Sequence, residues 1–259
     1  MNGVSMIKNS LKNSLFLVLI VLISTISLKS EVKYGSVEFK YDYDKSNPDM
    51  IYFAYKLPYF YNLDRNLQKS IYADLGLKLD KKDSLKASDI YDLIDDRFEE
   101  FEKGYLEAKS DLYDLPGYST DFTYQFKELY HFLNLTTVNF SFFGGAHPNT
   151  SVGHFVYNLK TNKKVGLSDI IKDMKSFTEL AEQEFRKLYK IEVGYPLSSV
   201  GFMFENDKFS MAKQFYIEND GVVLFWDTYE IAAYAYGPIT LKVKYKDFNN
   251  NLKEPVLRD

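Results

Sequence analysis

An alternating segment that leads into a glycine-containing loop is the feature that most constrains the fold of this chain. Residues 132–143 alternate between apolar and polar side chains, and a second apolar segment follows at residues 153–159. The residues between them, 144–150, include two glycines, a proline and an asparagine, which are typical of a chain reversal. This pattern predicts two antiparallel strands joined by a loop.

The order of the remaining segments predicts the fold class. Strand patterns occur at residues 37–43, 50–57, 122–126, 213–218, 222–226 and 239–245. Helical spacing occurs at residues 64–75, 89–109 and 176–190. Ser88 and Ser176 are the predicted N-caps of the second and third helices. Pro58 is predicted to end a strand, and Asn219-Asp220-Gly221 to form a hairpin turn. Groups of strands interrupted by helices predict an α+β fold, mainly antiparallel sheet with helices packed on it.

The first 30 residues predict a signal peptide. Lys8 and Lys12 precede an apolar segment at residues 15–28, which is shorter than the roughly 20 residues of a membrane-spanning helix. We therefore expect an exported protein, located in the periplasm, in the cell envelope or outside the cell. An uncleaved amino-terminal anchor is the competing interpretation, and Met1 and Met6 are both candidate start residues.

Charge and cysteine content exclude several classes of function. The net charge is −4, and removal of residues 1–30 would take away three lysines and no acid, which leaves −7. An acidic body without a basic cluster argues against nucleic acid or an anionic lipid surface as a partner. The absence of cysteine excludes disulfides, thiolate metal sites and thiol catalysis.

The loop at residues 144–150 holds the first candidate site. His147 and Asn149 lie in it, and His147 and His154 together with Asn149 or Asp121 are candidate metal ligands. No tight ligand spacing such as His-Glu-x-x-His is present, so we expect neither a metal nor a cofactor. The favoured interpretation is that His147 bonds the backbone of its own turn and fixes the shape of the loop. A contact between the loop and a ligand remains a hypothesis.

The second candidate site is the segment from Trp226 to Pro238. Asp227 and Glu230 flank the single tryptophan beside Tyr229 and Tyr234, a composition found in sugar-binding clefts. Glycoside hydrolysis usually needs two carboxylates about 5–10 Å apart. The favoured interpretation is that Glu230 accepts hydrogen bonds and braces a bend. Ligand contact by Trp226, Tyr229, Glu230 and Tyr234 is the second hypothesis, and catalysis the third. We assign no catalytic residue.

Four short motifs resemble those of a bacterial extracytoplasmic family of largely unknown function. They are Gly-Gly-Ala-His-Pro-Asn at residues 144–149, Asn-Leu-Lys-Thr-Asn-Lys at 158–163, Leu-Ser-Asp-Ile at 167–170, and Tyr-Glu-Ile-Ala-Ala-Tyr-Ala-Tyr-Gly at 229–237. The family supplies the lysozyme-sensing part of RsiV-type anti-sigma factors and the non-catalytic amino-terminal part of PdaC-type peptidoglycan deacetylases. Asn162 stands where the family has glycine, and Ala233 where it has proline.

The resemblance implies two successive modules and a binding role. We expect a signal peptide at residues 1–30, a PdaC-like module at 31–156, an RsiV-like module at 157–252 and a tail at 253–259. The family's known roles are in binding, so we expect a non-catalytic binding protein, without a sigma-binding or deacetylase domain. Its expected ligand is a lysozyme-like hydrolase or a cell-wall glycan. The alternative function is a peptidoglycan-directed hydrolase that uses Asp227 and Glu230.

Overall fold

The structure, a computed structural model, describes residues 32–42, 51–77, 85–111 and 117–253. The predicted signal peptide and all but the first residue of the predicted tail lie outside these residues. No helix within the described stretches combines the length and apolar character that crossing a bilayer requires.

Six strands form the larger sheet and follow one another in chain order. They are β1 (Tyr34–Asp42), β2 (Tyr52–Phe60), β3 (Ser119–Leu129), β4 (Phe132–Phe142), β5 (Asn149–Asn158) and β6 (Lys163–Val165). β2 pairs antiparallel with β1 and parallel with β3, and β5 pairs antiparallel with β6. The strands predicted on either side of the loop at residues 144–150 are therefore present as β4 and β5.

Three antiparallel strands form the second sheet. They are β7 (Gln214–Glu218), β8 (Gly221–Trp226) and β9 (Ile239–Lys244), with β8 in the middle. All six residues of β8 are buried. The predicted hairpin turn is present but shorter than expected, because Gly221 pairs with Glu218 inside the sheet and leaves Asn219 and Asp220 as the turn.

The helices confirm the predicted segments and correct two of the predicted caps. They are α1 (Arg65–Asp74), α2 (Ala87–Asp111), α3 (Leu167–Ile170), α4 (Met174–Tyr189) and α5 (Tyr245–Phe248). Ser88 is wrong as a cap because α2 already begins at Ala87. Ser176 is also wrong. Asp173 is the N-cap of α4, and its carboxylate accepts the N–H groups of Lys175 and Ser176. A carboxylate at this position can accept several of the amides that a helix start leaves unpaired.

Two further backbone positions bear on the sequence predictions. Pro58 does not end a strand but lies inside β2, opposite Ser36 of β1. Of the residues of β2, only 52–55 pair with β3. Pro58 lies beyond that pairing, where a strand tolerates a missing N–H. Asn162 has φ 56°, a left-handed conformation that asparagine adopts more readily than most residues.

The chain divides into two compact units that are each assembled from separated segments. Of the described residues, the first comprises 32–42, 51–62, 85–111, 117–123 and 140–149, and the second comprises 63–77, 124–139 and 150–253. The α+β class is confirmed, with helices and a sheet in both units. The sequence predicts instead two modules that follow one another along the chain, with a boundary between residues 156 and 157. This boundary stays a prediction.

Aromatic side chains dominate the cores of both units. In the first unit α2 packs on β1 and β2, where the Phe53 ring contacts those of Phe98 and Phe101 at centroid distances of 5.3 and 5.5 Å. In the second unit α4 packs against the second sheet, and the buried Phe185 of this helix contacts Trp226 and Phe202. Aromatic side chains therefore supply core contacts in both units.

Candidate ligand-binding surface

The loop between β4 and β5 belongs to the first unit and carries two of the predicted site residues. His147 is exposed, and its Nδ1 lies 2.9 Å from the carbonyl oxygen of Pro148. Asn149 begins β5 and is exposed. Gly144 has φ 80°, a conformation that glycine adopts without strain. The expected bond between His147 and its own turn is confirmed. Across the described residues no three histidine or carboxylate side chains form a cluster suited to a metal ion.

The second candidate segment belongs to the second unit and forms a closed turn. The Asp227 N–H donates to Glu230 Oε2 at 3.0 Å, and the Glu230 N–H donates to the Asp227 carbonyl at 3.0 Å. The Asp227 carboxylate accepts the N–H groups of Thr228 at 2.9 Å and of Val152 in β5 at 3.2 Å. Both carboxylates thus hold backbone amides, and the predicted bracing role of Glu230 is confirmed.

Trp226 lies in the core rather than on a surface. Its side chain is 1% exposed, and its ring packs against those of Phe185, Phe204 and Phe209 at centroid distances of 5.8, 6.3 and 6.0 Å. A ring this deeply buried cannot stack on a sugar unless the core opens. We therefore leave Trp226 out of any ligand surface, although the sequence predicted it there.

Several exposed tyrosines lie on the bend that follows Trp226. Tyr229, Tyr234 and Tyr236 are 52%, 44% and 50% exposed. The rings of Tyr229 and Tyr234 lie 5.4 Å apart, centroid to centroid, with 33° between their planes. Tyr229 has φ 71°, which is unusual for a bulky residue. The bend therefore directs large aromatic side chains towards solvent.

A second segment of the chain runs beside this bend and adds apolar side chains to it. Phe202 forms a β-bridge with Ala232, and the Met203 N–H donates to the Ile231 carbonyl at 2.8 Å. The Tyr236 hydroxyl donates to the Val200 carbonyl at 3.0 Å. Met203 and Val200 are 57% and 37% exposed. We call the surface formed by Val200, Met203, Tyr229, Tyr234 and Tyr236 the tyrosine face.

Sequence reasoning found only part of this surface. Tyr229 and Tyr234 were predicted, and Tyr236 lies in the same quoted segment. Val200 and Met203 were missed because a bridge between residues about 30 positions apart in the chain brings them there. Nothing in the local pattern around residues 200–203 marks them as neighbours of the bend.

The segments that carry the tyrosine face are acidic. Residues 191–210 and 227–237 contain five acids, Glu192, Glu205, Asp207, Asp227 and Glu230, against one base, Lys208. Glu192, Glu205 and Glu230 are exposed. At neutral pH these two segments therefore carry a formal net charge of −4.

Comparison with known families gives a match over the part of the chain that carries this surface. The model of a family described as "Protein of unknown function (DUF3298)" matches residues 168–246. This part of the chain is similar to the DUF3298 family. It contains the whole tyrosine face and the closed turn of Asp227 and Glu230. Comparison with curated proteins gave no match.

Two solved structures share the fold. One is a member of the DUF3298 family from Bacteroides fragilis NCTC 9343, with a TM-score of 0.69 and 17% sequence identity, over 86% of this chain and 94% of that one. The other is a DUF3298 family protein from Pseudomonas aeruginosa PAO1, with a TM-score of 0.61 and 18% identity, over 90% of this chain and 99% of that one. At these identities the likeness is one of fold.

Proposed function

We propose that the chain is an exported, non-catalytic binding protein whose DUF3298 domain contacts its ligand through the tyrosine face. The observation that carries this proposal is the exposure of three tyrosines on one bend and of a methionine on the segment beside it. Tyrosine and methionine are enriched in protein interfaces, where tyrosine supplies a large contact area at a small cost in side-chain entropy.

The backbone of Tyr229 supports the same proposal. A left-handed conformation of a bulky residue costs on the order of 1–3 kcal/mol, and here it is held by the hydrogen bonds of the Asp227–Glu230 turn. The result of this conformation is an exposed ring beside Tyr234, and not a better-filled core. Strained backbone that presents an exposed side chain is a feature of binding sites.

The charge of the surrounding segments favours a basic protein as the ligand. Complementary charge accelerates the encounter of two proteins and selects between partners. A lysozyme-like hydrolase, which is typically basic, suits this surface, and a cell-wall glycan is the other proposed ligand. The resemblance to RsiV-type and PdaC-type proteins supports a ligand of the cell envelope. Export rests on the predicted signal peptide at residues 1–30.

The alternative hydrolase has less support. Its two carboxylates, Asp227 and Glu230, both accept backbone N–H groups within one turn. The tryptophan that would form its sugar-binding cleft is buried. No observation favours this function over the binding role.

A calorimetric titration with lysozyme tests the protein-ligand version of the proposal. We expect binding at low salt that weakens as salt is raised, because the attraction is partly between exposed charges. Tyr229→Ala together with Tyr234→Ala should weaken binding at least tenfold. The matched control is Tyr195→Ala, which removes a 57% exposed tyrosine outside the tyrosine face.

Three outcomes separate the ligands. No binding to lysozyme at low salt rules out the lysozyme version. Binding to soluble peptidoglycan fragments that is lost in the double tyrosine variant would support the glycan version instead. Release of products from those fragments by the purified protein, lost in Glu230→Gln, would support the hydrolase and overturn the non-catalytic proposal.

A further inference from the structure

An open pocket lies in the second unit, and its lining includes no residue of the tyrosine face. Its volume is about 430 Å³, within the range of small-molecule sites. The first turns of α4 and the segment from α5 to the following 3₁₀ turn form its walls. The lining residues are Ser176, Phe177 and Leu180 on one side and residues 246–251 on the other.

Hydrogen bonds and a ring contact join the two walls of this pocket. The Asn251 side chain accepts the Asp173 N–H at 2.7 Å and donates to the Asp173 carbonyl at 2.8 Å. The Phe177 and Phe248 rings, both buried, lie 4.9 Å apart in an edge-to-face arrangement. These contacts tie the two walls together, so the pocket is formed before any ligand arrives.

Four polar side chains at the rim remain available for a ligand. Lys246, Asp247, Asn249 and Asn250 are exposed, and their side chains form no hydrogen bond or ion pair with another described residue. Two amides, an ammonium and a carboxylate together offer both donors and acceptors. Their charges sum to zero at neutral pH, which suits an uncharged ligand better than a phosphate or a metal ion.

We propose that this pocket binds a short, uncharged saccharide. Each sugar hydroxyl donates and accepts hydrogen bonds, so side-chain amides match it in both directions. The apolar surface of Leu180 at the pocket offers a place for the C–H face of a sugar ring. This site differs from the tyrosine face in residues and chemistry, and it does not depend on the proposed function.

The test uses three probes, N,N′-diacetylchitobiose, cellobiose and maltose, titrated into isotope-labelled protein. We expect at least one of them to shift the side-chain amide signals of Asn249 and Asn250 in a saturable way. Asn249→Ala with Asn250→Ala should weaken that binding at least tenfold. The matched control is Gln183→Ala, which removes an exposed amide of α4 outside the pocket. The fluorescence of the buried Trp226 should be unchanged in all variants.

Several results would overturn the proposal. One is the absence of saturable shifts with all three probes. Another is saccharide binding that is unchanged in the double asparagine variant and weakened in Tyr229→Ala. This result would place the sugar on the tyrosine face. Stronger binding of inorganic phosphate than of any saccharide would also contradict an uncharged ligand. The lysozyme titration is unaffected by these outcomes, so the two proposals fail separately.

Discussion

The Asn134 side chain pairs with the main chain of Ile217 through two hydrogen bonds. Its Nδ2 donates to the Ile217 carbonyl at 3.1 Å, and its Oδ1 accepts the Ile217 N–H at 2.9 Å. Asn134 lies in β4 of the larger sheet, and Ile217 lies in β7, an edge strand of the smaller one. A side-chain amide thus takes the place that a neighbouring strand would occupy, and it satisfies backbone groups that an edge leaves unpaired.

Substitution of Asn134 should destabilise the second unit strongly. Asn134→Ala would leave the N–H and C=O groups of Ile217 without their partner in a buried place, at about 1–3 kcal/mol for each group. Denaturant unfolding followed by the fluorescence of Trp226, the single tryptophan, measures the effect. Gln183→Ala, at an exposed amide, is the control and should change stability by less than about 0.5 kcal/mol. A loss for Asn134→Ala no larger than for the control would contradict the role of this pair.

The position of His154 predicts a loss of stability in mild acid. Its Nδ1 lies 3.2 Å from Thr136 Oγ1, and its ring packs on those of Tyr216 and Phe225. Burial lowers the pKa of His154 to about 4, although the negative charge of Asp227 acts in the opposite direction. In the unfolded chain the pKa of this histidine is near 6.5. The contribution of the neutral His154 ring to the free energy of unfolding is therefore complete above pH 6.5, and it is lost as the pH falls towards 4.

The size of this effect follows from the pKa difference. It is about 3 kcal/mol for a fully buried ring, and we expect about half of that because His154 is partly exposed. In His154→Asn the free energy of unfolding should change less between pH 6.5 and 4. The introduced amide can still bond near Thr136 but does not gain a proton. His147→Asn, at an exposed histidine, is the matched control. A pH profile that is equally steep in both variants would show that His154 is not responsible.

Two glycines should respond to alanine in opposite directions. A Cβ at Gly221 would overlap the backbone carbonyl oxygen of Val243 in β9. Gly221→Ala must therefore push two paired strands apart, and we expect a loss of about 2–4 kcal/mol. Gly104 lies exposed in the middle of α2 with open space around a Cβ. Gly104→Ala should stabilise by about 0.5–1 kcal/mol. The melting temperatures of the two variants test this prediction. Equal shifts in melting temperature would contradict the expected opposite effects.

Ala233 stands where the resembling family has proline, and the backbone there suits proline. Its φ of −65° is the angle that a proline ring imposes. No backbone hydrogen bond from its N–H to another described residue is found. The preceding residue, Ala232, lies in an antiparallel β-bridge, and such extended backbone is what a following proline requires. Ala233→Pro should therefore stabilise by about 0.4–1 kcal/mol, chiefly by restricting the unfolded chain.

Ala233→Gly is the matched comparison for this position. It enlarges the conformational freedom of the unfolded chain and should lower stability by a similar amount. Thermal unfolding of both variants measures the pair. A melting temperature that falls in Ala233→Pro as well as in Ala233→Gly would mean that the bend cannot accept the proline ring.

Local patterns in the sequence determined most of the secondary structure. The period-two alternation of residues 132–143 and the spacing of α1, α2 and α4 depend on neighbours within a few positions, and these segments are present as predicted. The Asn219-Asp220 hairpin and the bracing role of Glu230 were also accessible, because their hydrogen bonds close within three residues. Even here the caps were misplaced, because Asp173, three residues before Ser176, caps α4, and because α2 already begins before Ser88.

The tertiary structure alone decided which residues could meet a ligand. Trp226 ends an apolar strand and precedes a polar bend, and only the packing of Phe185 and Phe209 around it shows that it is buried. Met203 reached the tyrosine face through a bridge to a distant segment, and Asn134 reached Ile217 across 83 positions. Such pairings depend on how strands and helices pack, because contacts between distant residues leave no periodic pattern in the sequence around either partner.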